Sequence, residues 1–216
     1  LPLILPGKGW LLLLFTEYEK ISDEKQRGIM ALYNFTLTLS GVTHETEGLE
    51  DALYESGCDD ALICAYGNSV YIEFDREAGS LDEAISSAVN NIESADIGAI
   101  VESVDSALVG LSDIAEMTHM SRQAIAMLKD GTRGSGDFPC PIQRIKGQSP
   151  LWDWGDVAHW LSTNGRLNQD SELVVNARLL SKWNQVLRNS ASKDFEEIAA
   201  LAASLVARRR KQAACA

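Results

Sequence analysis

Residues 108–131 read LVGLSDIAEMTHMSRQAIAMLKDG, two short amphipathic runs separated by three residues. In the first, Ser112 stands as an N-cap ahead of Ile114, Ala115 and Met117, whose spacing turns one helical face inward. Thr118 to Met120 forms a tight turn. Ser121 then caps a second helix, Arg122 to Lys129, which buries Ile125 and Leu128 and stops at Asp130-Gly131. Two short helices crossing steeply need a small residue where they touch. Ala115 supplies it, and Met120 with Ile125 fills the space between them. The stretch therefore predicts a helix-turn-helix with Ser121, Arg122, Gln123, Ala126 and Met127 facing outward. Glycine is usual at the turn position held by His119, because the backbone there often has positive φ, a region histidine tolerates better than a β-branched residue does.

The outward residues suit base reading. Arginine bonds bidentately to guanine O6 and N7, glutamine to adenine N6 and N7, and a serine hydroxyl to a phosphate. A helix N-terminus adds backbone donors for phosphate. Residues 136–161, GDFPCPIQRIKGQSPLWDWGDVAHWL, continue the pattern. Pro139 and Pro141 hold the chain extended, Ile142 to Lys146 is expected as a short strand, and Gly147-Gln148-Ser149 turns it back toward Leu151-Trp152, making a wing. Asp153 or Asp156 starts a closing helix that carries Val157, Trp160 and Leu161 inward. Trp152, Trp154 and Trp160 read as core residues rather than base-stacking platforms.

On the runs LSDIAEMTHMSRQAI, FPCPI and PLWDWGDVAHWL, in that order, residues 108–162 resemble the MerR-like and excisionase-like winged helix-turn-helix proteins. The resemblance implies DNA contact by Arg122 and Gln123 in the major groove and by Arg144 and Lys146 on the wing. Ser121 and Lys129 complete the candidate DNA-binding set. The unit N-terminal to this stretch is similar to modules that accompany such helix-turn-helix segments in bacterial proteins.

The whole chain carries a net charge of −12, which argues against phosphate binding until charge is counted by segment. Residues 1–29 are neutral and 30–105 hold sixteen acids against Arg76 alone, whereas 106–165 stand at −1 and 166–216 at +4. An acidic unit is thus joined to a less acidic remainder. Within the acidic unit, Tyr33 to Ser40 alternates as a strand with Phe35, Leu37 and Leu39 on one face, and Glu45 to Ser56 has helical spacing ended by Gly57. Ala61 to Tyr66 and Val70 to Phe74 flank the turn Gly67-Asn68-Ser69 as a hairpin. Ser80 with Glu83 forms a capping box for a helix burying Leu81, Ala84, Ile85, Ala88, Val89 and Ile92, and Ile97 to Val104 supplies the last strand. The order β-α-β-β-α-β is that of a ferredoxin-like sandwich. Asp59, Asp60, Glu73, Asp75 and Glu77 read as a solvated acidic face in preference to a metal site. Such a surface repels DNA and favours a basic partner protein.

Beyond residue 165, Leu173 to Leu187 and Phe195 to Val206 predict a helical hairpin after a linker at 165–170, with Ser192 and Asp194 starting the second helix. Leu173, Leu180, Trp183 and Leu187 fit either a homodimer seam or packing back onto the winged helix. Arg208-Arg209-Arg210-Lys211 fits a solvated terminus better than a phosphate contact. Cys58, Cys64, Cys140 and Cys215 match no zinc or redox spacing, so free thiols in the cytoplasm are expected, with no cofactor. Residues 1–29 lack periodicity, and the folded unit is expected to begin near Met30. Their apolar run is too short for a bilayer and lacks a cleavage site, so no membrane partner is expected. These expectations add up to a DNA-binding transcriptional regulator, not an enzyme, whose acidic unit serves protein contact or sensing. The competing reading is an antitoxin-like or DNA-mimicking protein that masks a basic partner.

Overall fold

The computed structural model describes residues 30–105, 107–169 and 171–213. The leader and Cys215 lie outside them. The architecture is mixed α+β: a four-stranded antiparallel sheet, a two-stranded ribbon and seven helices among the described residues.

The first half runs β1 (Ala31–Ser40), α1 (Leu49–Glu55), β2 (Ala61–Tyr66), β3 (Ser69–Ala78), α2 (Leu81–Glu93) and β4 (Ile100–Val104). The sheet order is β2-β3-β1-β4, with every neighbouring pair antiparallel. Alternation decides the two faces. Phe35, Leu37 and Leu39 of β1 and Val70, Ile72 and Phe74 of β3 are buried against α1 and α2, while Asn34, Glu73, Asp75 and Glu77 are exposed. Ser80 caps α2 through the Glu83 N–H, and the Glu83 carboxylate reaches back to the Gly79 N–H. Helix α1 is shorter than its apolar spacing suggests, because Gly48 at its N-cap holds a φ of 72°. At its other end Gly57, at φ 94°, lets the Cys58 N–H bond to the Leu53 carbonyl. The hairpin turn is two residues, not three: Gly67 carries positive φ and Ser69 already pairs with Tyr66.

Arg76, the one base of the acidic unit, sits at an inward position of β3 and is 7% exposed. Its guanidinium forks onto Asp60 with two 2.7 Å bonds, donates to the Gly57 carbonyl and the Ser87 hydroxyl, and lies 4.7 Å from the Phe74 ring centre. Asp60 is thereby the half-buried partner of a buried guanidinium, unlike the exposed Asp59, Glu73, Asp75 and Glu77. Among the described residues no group of three or more His, Cys, Asp or Glu side chains is placed to hold a metal.

The second half begins with β5 (Leu108–Val109), followed by α3 (Leu111–Met117), α4 (Arg122–Lys129), β6 (Trp152–Asp153) and α5 (Trp154–Thr163). Its own core holds Val109, Ile114, Ile125, Leu128, Trp152, Trp154, Val157 and Leu161. Pairing of β5 with β6 ties the entry of the helix pair to the start of α5, a connection that two-residue strands do not announce in sequence. Asp153, and not Asp156, is the N-cap of α5, accepting from the Asp156 N–H at 3.1 Å.

Helix α6 (Glu172–Ser190) joins the two cores. Leu173 and Ala177 pack with the core of the second half, and Leu180 and Leu187 with that of the sheet. Gly155 of α5 faces α6, and a Cβ there would stand 2.9 Å from the Asp153 cap oxygen and 3.4 Å from the Ala177 carbonyl. The four residues that fit a dimer seam in the sequence therefore pack inside the chain, Leu180, Trp183 and Leu187 against the sheet and Leu173 alone against the second core. Asn184 completes the junction. Its side-chain oxygen accepts from the Val104 N–H at 3.2 Å and its NH2 donates to the Val104 carbonyl at 2.6 Å, so it pairs the open edge of β4 as another strand would. Asn184→Leu is expected to cost about 2 kcal/mol, because both Val104 groups are left buried and unpaired, as urea denaturation will measure. Helix α7 (Phe195–Ala213) follows and buries no residue.

Candidate nucleic-acid interface

Helix α3 starts two residues earlier than a Ser112 cap would place it. Gly110 is the N-cap, and the Asp113 carboxylate accepts from its N–H at 2.8 Å, leaving Ser112 inside the first turn. The acidic side chain wins because it sits where it can reach back to the cap. At the other end the His119 N–H bonds to the Glu116 carbonyl and the Met120 N–H to the Ala115 carbonyl, closing the helix with His119 in the left-handed region at φ 54°. Left-handed backbone costs a non-glycine residue about 1 kcal/mol. His119→Gly is accordingly expected to raise stability by a few tenths of a kcal/mol to about 1 kcal/mol, part of the gain being lost to the unfolded chain's added freedom; thermal melts of the two proteins decide this.

Helix α4 is capped as its sequence demands, with the Ser121 hydroxyl accepting from the Ala124 N–H at 3.1 Å. Ile125 and Leu128 are buried, which fixes the rotation of the helix. Ser121, Arg122, Gln123 and Met127 are left exposed, while Ala126 is half-buried. The Ser121 oxygen is engaged as a cap, so only its proton remains to offer a phosphate. Lys129 is also exposed but pairs with the adjacent Asp130. Among the described residues Arg122, Arg144 and Lys146 form no ion pair.

The expected wing strand Ile142 to Lys146 is not a strand. One bridge, Gln143 to Leu151, closes the segment, and the chain leaves it at Arg144, where φ is 53°. The Gly147 N–H then bonds back to the Arg144 carbonyl at 2.9 Å. Positive φ interrupts the alternation that a ladder needs, so residues 144–150 form an exposed loop, with Arg144, Ile145 and Lys146 open to solvent. Its base is firmly held: Trp152 donates its indole N–H to the Pro139 carbonyl, and Phe138 meets Trp152 and Trp160 edge-to-face. Trp152, Trp154 and Trp160 are all buried.

One basic residue escapes the sequence reading. Arg133 is exposed in the loop 131–136, and its N–H is pinned to the Met127 carbonyl of α4 at 3.1 Å. A lone arginine among Gly131, Gly134 and Gly136, all at positive φ, was the available signal. The loop is anchored to α5 through Asp137, whose carboxyl is held below its ordinary range by bonds from the Ser135 hydroxyl and the Trp160 indole. The candidate contacts thus occupy three exposed segments: the first turn of α4, the glycine loop and the loop 144–150. No protein-family model, curated protein or solved structure matches the chain. No helix among the described residues is long and apolar enough to cross a membrane.

Proposed function

We propose that this chain is a sequence-specific DNA-binding protein, a transcriptional regulator acting in the cytoplasm, which reads the major groove with α4. The observation that carries the reading is the first turn of α4. There Arg122 and Gln123 stand exposed without an ion pair, on a helix whose rotation is set by the burial of Ile125 and Leu128. Arg144 and Lys146 on the wing loop and Arg133 beside α4 supply phosphate contacts. Support for a winged helix-turn-helix comes from the sequence of α3, turn, α4, bridged loop and α5 around one core. Support for a ferredoxin-like first unit comes from its element order and from the strand order β2-β3-β1-β4.

The protein works as a homodimer on paired half-sites in this reading. Its seam is α7 and not α6. Phe195, Ile198, Leu201 and Leu205 line one side of α7 without being buried, and Glu196-Glu197 at one end and Arg208 to Lys211 at the other match in charge when two copies run antiparallel. The masking alternative retains one supporting observation, the row Glu73, Asp75 and Glu77 along the open face of β3.

Selection of duplexes from a random pool by the purified chain, followed by gel shift, tests the proposal. Retention of a defined sequence is expected, with affinity falling steeply in salt, a log–log slope of about −4 to −5 if four to six phosphates are neutralised. No retention of any duplex at low ionic strength sinks it.

A further inference from the structure

The sheet has two edges, and the chain treats them differently. Edge β4 is covered by α6, with Asn184 taking up both Val104 backbone groups. Edge β2 has no such cover among the described residues. Its six residues, ALICAY, contain no lysine, no proline and no bulge, the devices that ordinarily blunt a free edge. The Asp75 N–H bonds to the Asp60 carbonyl, which fixes the phase of the ladder. By antiparallel alternation Leu62, Cys64 and Tyr66 pair with β3, and Ala61, Ile63 and Ala65 direct their N–H and C=O groups outward.

Two cavities of about 380 Å³ each lie along this edge, between β2 and α1. One is lined by Ala61, Leu62, Ile63 and Asp59, the other by Ile63, Ala65, Val70 and His44, and both share Glu50 and Asp51 of α1. They succeed one another along a strand as the side chains of residues i and i+2 do, roughly 7 Å apart. Glu50, Asp51 and Asp59 are exposed at the rim, and the one base of the unit, Arg76, is spent on Asp60.

We propose that β2 and α1 form a docking groove for an extended basic segment of a partner protein, which adds to the sheet as a fifth strand. Alternate lysine or arginine side chains of that segment enter the two cavities and meet Glu50, Asp51 and Asp59. A second copy of this chain is the less fitting occupant, because pairing β2 with β2 brings the same three carboxylates of each copy together with no free base between them. The inference rests on the protein-contact role given to the acidic unit above and is independent of DNA binding.

The test uses the full chain, immobilised, to select from displayed random octapeptides, with the variant Glu50→Lys/Asp51→Lys as counter-selection. Enriched peptides are expected to carry lysine or arginine at alternate positions. A synthetic copy of one should bind the parent chain and lose about tenfold or more on the charge-reversed variant. N-methylation of that peptide at every second residue should abolish binding in one phase and leave it nearly intact in the other, since only one set of amides faces β2. Ala65→Pro, which removes an outward N–H and no ladder bond, should weaken the peptide as well, circular dichroism confirming that it folds. Duplex binding by Ala65→Pro should match the parent and that by the charge-reversed variant should be no weaker, so the two readings fail separately. No enrichment, equal effects of the two N-methylation phases, or a dimer in sedimentation that Ala65→Pro dissociates would overturn the proposal.

Discussion

Replacing Arg122 and Gln123 together by alanine is expected to weaken binding to the preferred duplex by about 100- to 1,000-fold while leaving the melting temperature unchanged. Each bidentate contact to a base edge discriminates by about 1–3 kcal/mol, so losing both removes on the order of 3–4 kcal/mol. Neither side chain is buried and neither forms an ion pair, so the fold has little to lose. Arg144→Ala and Lys146→Ala should behave differently. Each lowers affinity for all sequences alike and reduces the magnitude of the salt slope by about one. Fluorescence anisotropy over a salt series, on preferred and scrambled duplexes, separates the two. An equal loss on both duplexes for the double variant would demote the pair to phosphate contacts.

Arg76→Ala is expected to cost about 3 kcal/mol of stability. Removing one partner of a buried ion pair typically costs 3–5 kcal/mol. The lower end applies because the Asp60 side chain is 30% exposed and recovers some water. The Ser87 hydroxyl and the Gly57 carbonyl also lose a donor, although Asn91 still serves Gly57 at 2.7 Å. Arg76→Lys should fall between, at roughly 2 kcal/mol, since an ammonium cannot reproduce the fork. Urea denaturation reads these values, with an unchanged m confirming that stability alone has moved. Arg76→Met combined with Asp60→Leu should recover part of the loss, because no charge is then stranded.

Deleting residues 30–105 to relieve DNA of their charge, a natural experiment on charge grounds, is not a clean one. Leu180 and Leu187 lose their cover when the sheet is removed. Neutralising Glu73, Asp75 and Glu77 by amide substitution addresses the same repulsion without exposing α6.

Much of the local structure was legible in the residues. Ser80 and Ser121 are caps where their spacing placed them, and Ile125 with Leu128 sets the buried side of α4. Arg76 was visible as a lone base but not as a core residue. The hint was its phase, since it continues the inward row Val70, Ile72, Phe74. The wing strand failed because backbone conformation at Arg144 overrode a favourable composition.

Caps, turns and hydrophobic period depend on residues a few positions apart, so the chain's own order was enough to place the helices and the four strands of the sheet and to leave Ser121, Arg122, Gln123 and Met127 outward on α4. Which helix shields which sheet edge was decided only in three dimensions. Asn184 meets Val104 across 80 residues, and β2 is an edge because, among the described residues, nothing comparable reaches it. Such pairings are chosen by the geometry of two assembled cores, and no local spacing encodes them.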